Sequence, residues 1–237
     1  MGGGACGRRP ARETSRNRIL RTSASKTKSQ AVAPEPRLGI REQNKIDKYN
    51  RILAAGKALF NERGYEATTT QAIAEVAGVG AGTFFAYFAT KEDLLIAVFM
   101  GDLTGAVNSS YRTARDKTGL LERTFTLFNG LMQYHAESIS LSRHLVRELV
   151  YVTTPDTRQR IAELMITIKN NVMALVADEQ AAGSYSTAFD NELLASNCFG
   201  IYYDVLQKML NGRESVESAP QTLRSRLDLQ ISPLYVK

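Results

Sequence analysis

The chain has 237 residues, 43% of them hydrophobic and 23% charged, which is ordinary for a soluble globular protein. The longest apolar run near the middle, at 94–100, stops at Gly101, far short of the ~20 residues that span a bilayer. The cysteines, Cys6 and Cys198, form neither a disulfide framework nor a metal-binding spacing. We therefore expect a cytoplasmic protein with no secretory signal, no membrane partner and no metal.

The net charge of +6 lies at the N-terminus. Residues 1–40 contain nine Lys or Arg and two acidic residues, a net +7, so that the other 197 residues sum to −1. Because this segment has almost no periodic apolar residues, we predict that it is disordered. Its composition is compatible with a basic arm attracted to DNA phosphates, or faintly with an organelle transit peptide. A third interpretation is an extension artefact, with initiation near Val32 or Leu38, and the residues alone do not decide between them.

A first helix is predicted over about 44–63, because apolar residues recur there at helical spacing with Lys and Arg on the other faces. Gly64 follows this run directly. Glycine adopts positive φ without steric cost, so we expect Gly64 to end the helix at its C′ position.

Two short helices are predicted next. The first begins near Thr69 or Thr70, since a threonine hydroxyl caps a helix N-terminus well. Gly78 stands where that helix must end, in a position that suits positive φ, and a second short helix runs from Gly80 to about Tyr87. Two short helices joined by a tight glycine turn indicate a helix-turn-helix. The apolar face of the first short helix is predicted to consist of Ile73, Val76 and Ala77.

A longer helix is predicted to begin at Thr90, because Asp93 follows at capping spacing. Lys91 does not fit this start, since a cation in the first turn opposes the helix dipole. A phosphate docked at the helix N-terminus would account for it, and a solvated lysine is the alternative.

The remainder of the chain also shows helical periodicity, with no alternating strand pattern and no repeat. The fold is therefore predicted to be all-α, with an N-terminal helix-turn-helix three-helix domain and a larger C-terminal helical bundle. Apolar runs at helical spacing occupy 120–135, 139–150, 161–176, 190–211 and a weaker segment from Pro220.

The segment TTTQAIAEVAGVGAGTFFAYFATKEDLL, preceded by ILAAGKALFNERGYEATT, resembles the N-terminal DNA-binding domain of the tetracycline-repressor (TetR) family over about residues 45–100. That family comprises homodimeric bacterial regulators, mostly repressors, with a helical ligand-binding and dimerisation domain. The resemblance implies a DNA-binding domain at 41–100 and a ligand-binding and dimerisation domain at 101–237, after the basic arm at 1–40. It also implies that the dimer interface uses 190–211 and the segment after Pro220.

By position, the resemblance implies a recognition helix over 80–88 whose first residues face the major groove. Thr83 would meet a base edge and Gly82 would permit close approach of the backbone. Many members of the family have polar residues where Gly80, Ala81 and Ala86 stand, so base readout would rely on few polar groups and on DNA shape. Phe84 and Phe88 are assigned to the core instead. The predicted DNA-binding residues are Thr69, Thr70, Gly80, Ala81, Gly82, Thr83, Phe85, Ala86, Tyr87 and Lys91.

Ligand cavities in helical bundles form between the helices and are lined by apolar groups with a few polar ones. We therefore assign a candidate ligand site to the C-terminal bundle, although each of its residues can equally be core. Neither histidine there has ligands at metal-binding spacing around it. The candidate ligand-binding residues are Phe128, Met132, His135, Tyr151, Met165 and Tyr202.

The leading hypothesis is a homodimeric, ligand-responsive repressor that binds a palindromic operator in double-stranded DNA and is released by an unidentified small-molecule effector. A constitutive or partner-controlled DNA-binding regulator is the alternative. A helical enzyme with an incidental helix-turn-helix is a remote one, because no nucleophile–base pair, acid pair or phosphate loop stands out. We predict neither enzymatic activity nor a cofactor.

Overall fold

A computed structural model describes residues 39–151 and 154–236, without the side chains of Val150 and Tyr151. Within these ranges the chain is helical, with an isolated β-bridge between Tyr185 and Tyr235 and no strand. The predicted all-α fold, with an N-terminal helix-turn-helix and a larger C-terminal bundle, is confirmed. The helices of the described residues are α1 (Ile40–Ala67), α2 (Thr70–Val76), α3 (Ala81–Tyr87), α4 (Lys91–Arg115), α5 (Leu120–Ala136), α6 (Ile139–Tyr151), α7 (Pro155–Ala181), α8 (Asn191–Leu210) and α9 (Ala219–Ile231), followed by a 3-10 turn at Ser232–Leu234.

The predicted basic arm lies outside the described residues, except for Gly39 and Ile40. Ile40 is already the first residue of α1, so this helix begins earlier than the predicted start near 44. The sequence offered no apolar stripe before residue 46 from which the earlier start could be read.

Helices α1, α2 and α3 and the first turns of α4 enclose a small apolar core of their own. Phe84 and Phe88 are both buried in it, as predicted, and their rings lie 6.1 Å apart. Gly56 of α1 faces Leu94 of α4, where an added Cβ would lie 2.8 Å from the leucine Cδ2. A side chain at this position would require Leu94 to move, so the two helices approach each other closely here.

Two of these helices are capped at their N-termini by threonine hydroxyls. The Thr69 hydroxyl accepts the backbone N–H of Ala72 at 3.1 Å, which makes Thr69 rather than Thr70 the N-cap of α2. The Thr90 hydroxyl accepts the N–H of Asp93 at 3.0 Å, as the spacing predicts. Each cap satisfies a backbone donor that has no partner within its helix.

The turn glycines also adopt the predicted geometry. Gly64 has a φ of 80° and Gly78 a φ of 63°, values that side chains with a Cβ rarely adopt. Gly64 ends the first run of α1 as predicted, because its non-helical φ and ψ form a kink after which a further short turn continues to Ala67.

The prediction for Val76 is wrong, since this side chain is 59% exposed. The buried residues of α2 and its C-cap are Ile73, Ala74 and Ala77. At about 100° per residue, Val76 lies roughly 100° from the centre of that buried stripe. The centre of the buried stripe therefore lies roughly 50° from the centre of the predicted face, about half the angle between successive residues.

Helices α4 to α9 form the larger bundle, whose core includes a stack between Phe128 of α5 and Tyr202 of α8 with ring centroids 4.9 Å apart. Helix α4 belongs to both parts of the molecule, because it runs unbroken from Lys91 to Arg115. The predicted domain boundary between residues 100 and 101 falls inside it and stays a prediction. None of the helices in the described ranges has the length and apolar character needed to cross a membrane.

Candidate functional site

Helix α3, the predicted recognition helix, has one face in the core and one in solvent. Phe84 is completely buried, whereas its neighbour Phe85 is 53% exposed and meets the Phe84 ring edge-on. Ala81, Gly82 and Ala86 also lie on the exposed side. The face available to a partner therefore consists of small and aromatic groups without charge.

The two glycines at the start of α3 are not required by packing. A Cβ added to Gly80 or Gly82 would meet no atom within 4 Å, and Gly80 has a φ of −71° that any residue adopts. Packing among the described residues therefore does not demand glycine at either position, and the predicted close approach to DNA stays a prediction. Thr83 follows and is partly buried. Its role as a base contact stays a prediction.

Three further predicted DNA contacts flank α3. Thr69 is exposed at the N-terminus of α2, and Thr70 is partly buried in its first turn. The Tyr87 hydroxyl donates to the backbone oxygen of Lys45 at 3.2 Å, and its ring centroid lies 6.3 Å from that of Tyr49. Tyr87 thus holds the end of α3 against α1, while its predicted contact with phosphate stays a prediction.

Lys91 has partners inside the protein that its sequence position does not reveal. Its Nζ donates to the backbone oxygens of Tyr65 at 2.9 Å and Thr68 at 3.0 Å, and lies 4.1 Å from the centroid of the Tyr65 ring. These carbonyls lie at the C-terminal end of α1, where the helix dipole favours a cation. A phosphate is therefore not needed to explain this lysine, although the predicted phosphate contact itself stays a prediction.

Tyr65 and Thr68 also contribute to the contact between the end of α1 and the start of α4. Sequence reasoning assigned neither of them a role. The Tyr65 hydroxyl donates to Oε1 of Glu92 at 2.6 Å, a bond that holds the pKa of Glu92 below its ordinary value. Burial raises the pKa of Tyr65 above its ordinary value. The Thr68 hydroxyl is within hydrogen-bond distance of the backbone oxygens of Gly64, at 2.7 Å, and Leu59, at 3.1 Å. The end of α1 is thereby tied to the start of α4.

A cavity of about 220 Å³ lies between helices α4, α5, α6, α7 and α8 of the bundle. Its wall is almost entirely apolar, with contributions from Leu103, Leu149, Ile161 and Phe199. Three of the candidate ligand-binding residues line it: His135, Met165 and Tyr202. Tyr203 lines it as well.

The other three candidates differ in position. Phe128 and Met132 are buried in the adjoining core and are not among the cavity-lining residues. The side chain of Tyr151 lies outside the described residues. Sequence reasoning missed Phe199 and Ile161, because an apolar residue at helical spacing has the same pattern whether it borders a void or a neighbouring side chain.

His135 supplies one of the few polar groups of this wall. It is buried, its Nδ1 lies 3.2 Å from the Ser142 hydroxyl of α6, and burial lowers its pKa to about 4. The imidazole is therefore neutral near pH 7 and presents one donor and one acceptor. Such a wall suits a mainly apolar ligand with a small uncharged polar group.

Helix α6 joins this cavity to the helix-turn-helix. Val146 and Leu149 line the cavity, while Leu141 is buried in the small N-terminal core. The His144 ring lies 4.7 Å from that of Tyr65, and its Nε2 lies 3.6 Å from a carboxylate oxygen of the exposed Glu66. One rigid element thus touches both regions.

A second contact links the start of α7 to the start of α4. The Thr154 hydroxyl donates to Oδ1 of Asp93 at 2.8 Å. Asp93 is the residue whose backbone N–H is capped by Thr90, so the bond reaches the N-terminus of α4 directly. Helices α6 and α7, which enclose the cavity, therefore each contact the N-terminal unit, which consists of α1, α2, α3 and the start of α4.

Comparison with known proteins identifies relatives of both regions. Residues 52–98 match the model of the family described as bacterial regulatory proteins, tetR family. The fatty acid metabolism regulator protein of Bacillus subtilis (strain 168) is 27% identical over 165 residues, covering 67% of this chain and 81% of the relative.

Solved structures share the fold over most of the chain. FadR of Thermus thermophilus, a TetR-family transcriptional repressor in complex with lauroyl-CoA, aligns with a TM-score of 0.63 and 22% identity over 80% of this chain and 96% of its own. FadR from Bacillus subtilis in complex with stearoyl-CoA aligns with a TM-score of 0.59 and 21% identity, over 78% of this chain and 99% of its own. At these identities the two structures establish the fold.

Proposed function

Because the chain belongs to the TetR family of bacterial regulatory proteins and is a DNA-binding transcriptional regulator, we propose that it acts as a homodimeric repressor. It binds a palindromic operator through two copies of α3 and leaves it when a small-molecule effector occupies the bundle. The role involves no reaction and no cofactor.

The observation that carries the ligand response is the apolar cavity between α4 and α8. A mostly apolar wall with one or two convergent polar groups is typical of small-molecule sites. We propose that the effector carries an acyl chain, as in the lauroyl-CoA and stearoyl-CoA complexes of the two FadR proteins. The neutral imidazole of His135 then faces an uncharged polar group of the ligand, such as a thioester oxygen.

The cavity volume restricts the chain length. At about 220 Å³ it is smaller than the roughly 300–1,000 Å³ typical of ligand pockets. A short chain fits the present walls, whereas a longer one has to displace α6 or α7. Displacement of helices that also contact the N-terminal unit is the proposed origin of operator release.

The proposed dimer forms through α8 and α9. Leu193 at the start of α8 and Leu229 on α9 are large apolar side chains exposed to solvent, the latter by 79%. Asp204 of α8 accepts from Arg226 of α9, which links the two helices into one surface, and also pairs with Lys208 of α8 at 2.8 Å. A two-fold axis through this surface would bury both leucines.

The test begins with selection of bound duplexes from random or genomic fragments by the purified protein. We expect recovered sites with two-fold symmetry, as two recognition helices require. Affinity for such a duplex is then measured by fluorescence anisotropy with CoA alone and with acyl-CoA of increasing chain length. Acyl-CoA is expected to weaken binding and CoA alone to leave it unchanged.

Two neighbouring substitutions on α7 distinguish the effect of filling the cavity from the effect of adding a large side chain at the surface. Met165→Trp fills the cavity and should abolish the response to acyl-CoA while leaving operator affinity intact. Ile166→Trp adds the same ring to an exposed position and should respond like the wild type. Recovered sites without symmetry would contradict the dimer. If no acyl compound changes operator affinity, the protein is instead a constitutive or partner-controlled regulator.

A further inference from the structure

Helix α1 extends well beyond the part of the chain that matches the family model. The match begins at residue 52, whereas α1 begins at Ile40. At 1.5 Å per residue, these 12 residues extend the helix by about 18 Å. All of them are exposed except Ile46 and Tyr49, which are partly buried. A helix that is polar on nearly all sides gains little stability from burying apolar surface. Burial alone therefore does not explain why residues 40–51 are helical.

The extension is held against the end of the predicted recognition helix. The Tyr49 ring stacks on Phe88 with centroids 5.3 Å apart, and the backbone oxygen of Lys45 accepts the Tyr87 hydroxyl at 3.2 Å. These two contacts fix the direction in which the extension leaves the domain. Its side chains therefore have a defined position next to α3.

Three basic side chains occupy one side of this extension. At about 100° per residue, Arg41, Lys45 and Lys48 fall within an arc of roughly 60°, on the side next to Tyr49. The ammonium groups of Lys45 and Lys48 have no ion-pair partner within residues 39–151 and 154–236.

The acidic residues of the extension lie elsewhere on the helix. Asp47 is on the opposite side, where its carboxylate accepts from Gln43 at 2.9 Å, and Glu42 lies at the edge of the basic side. The arc that contains Arg41, Lys45 and Lys48 is therefore positive along its length.

We propose that this basic side of α1 is a second DNA-contacting surface, which binds backbone phosphates flanking the base pairs covered by α3. The proposal rests on the DNA-binding role of α3 and adds a function that α3 lacks, because residues 80–88 contain no charged side chain. Lysine and arginine supply the phosphate contacts that position a protein on DNA, whereas base edges supply specificity. Charge complementarity and continuity with α3 both identify B-form DNA as the partner.

Salt dependence of binding tests the proposal. The double variant Lys45→Gln with Lys48→Gln removes two charges from the extension. The control, Arg112→Gln with Arg115→Gln, removes two from the exposed last turn of α4. Binding to a mixed-sequence duplex and to a selected operator is measured at several salt concentrations, after circular dichroism has verified equal helix content. Each lost phosphate contact lowers the slope of log affinity against log salt by about 0.9.

We expect the α1 variant, which lacks two lysines in each subunit of the proposed dimer, to lose about 3.6 from this slope on both duplexes and the α4 control to keep the wild-type slope. Trimming the operator flanks should weaken the wild type and leave the α1 variant almost unchanged. Equal slopes for the wild type and the α1 variant would overturn the proposal for α1 alone. Failure of the wild type to bind any duplex would instead overturn the DNA-binding role on which it rests.

Discussion

The N-terminal unit and the C-terminal bundle differ in how completely side chains pack their cores. Around Phe84 the small core is closed, and a side chain at Gly56 would have to displace that of Leu94. The bundle instead leaves about 220 Å³ open between five helices. A closed core keeps α3 in one position, while an unfilled core allows a ligand to enter and its walls to move. The difference suits the proposed roles, in which the N-terminal unit contacts DNA and the bundle binds a ligand.

The largest effect is expected where the closed core is opened. Phe84→Ala should lower the free energy of unfolding by about 3–5 kcal/mol, because the cavity left behind cannot be refilled in a tightly packed unit. Phe85→Ala removes the same ring from an exposed position and should change stability by about 0.5 kcal/mol or less. Urea denaturation measures both. Similar losses for the two variants would mean that the N-terminal unit is not closed in solution.

The bundle should show its own sensitivity in acid. Burial lowers the pKa of His135 from 6.5 to about 4. Between these pH values the His135 imidazole is therefore protonated in the unfolded chain and neutral in the folded chain. Stability is therefore lost as pH falls from about 6.5 to about 4, by on the order of 3 kcal/mol. His135→Gln should remove this part of the pH dependence, measured as the difference in unfolding free energy between pH 7 and pH 4.5. His144, whose pKa burial also lowers, contributes in the same direction in both proteins. Parallel pH curves would show that His135 is solvated.

The hydrogen bonds of Lys91 test whether polar contacts, as well as the apolar core, stabilise the N-terminal unit. Lys91→Met keeps the stem and removes two charged hydrogen bonds to backbone oxygens, which should cost about 1.5–3 kcal/mol. Lys57→Met, which removes a solvent-exposed ion pair with Asp102, should cost about 1 kcal/mol or less. Thermal unfolding without DNA measures both. Unchanged stability of the Lys91 variant with weaker DNA binding would restore the lysine to a purely phosphate-binding role.

The smallest effect is expected at the start of α2. Thr69→Ala should destabilise the unit by about 1 kcal/mol, since a helix donor loses its acceptor. Thr70→Ala, one residue later, should change stability by about 0.5 kcal/mol or less. Chemical denaturation of the two variants side by side distinguishes them. A larger loss from Thr70 would place the cap one residue further along the chain.

The N-terminal unit could be predicted well because its signals are local. The N-cap at Thr90, the positive φ of Gly64 and Gly78 and the burial of Phe84 each depend on residues within a few positions. The ambiguity at Thr69 was a matter of one residue position, and the error at Val76 was a rotation of the apolar face by roughly 50°. Both occurred in a helix of seven residues, where two turns give the apolar stripe little definition.

The partners of Lys91 and the ligand cavity depend instead on tertiary structure. The acceptors of Lys91 lie 23 and 26 residues earlier in the chain, and only folding brings them to the start of α4. Phe128 and Met165 share the same apolar periodicity, yet only Met165 borders the cavity. Whether a side chain borders empty space depends on five helices together, which a periodicity within one helix cannot express.

The uncharged face of α3 has a consequence for how this protein can change over time. Under the proposed roles of α3 and α1, substitutions among Ala81, Gly82, Thr83 and Ala86 are expected to alter which base edges are touched without altering the charge that meets the phosphates. Attraction to DNA supplied by α1 would then keep overall affinity nearly constant while such changes redirect the protein to new operators. Descendants of this chain are therefore expected to acquire new target genes through single uncharged substitutions that preserve the phosphate contacts.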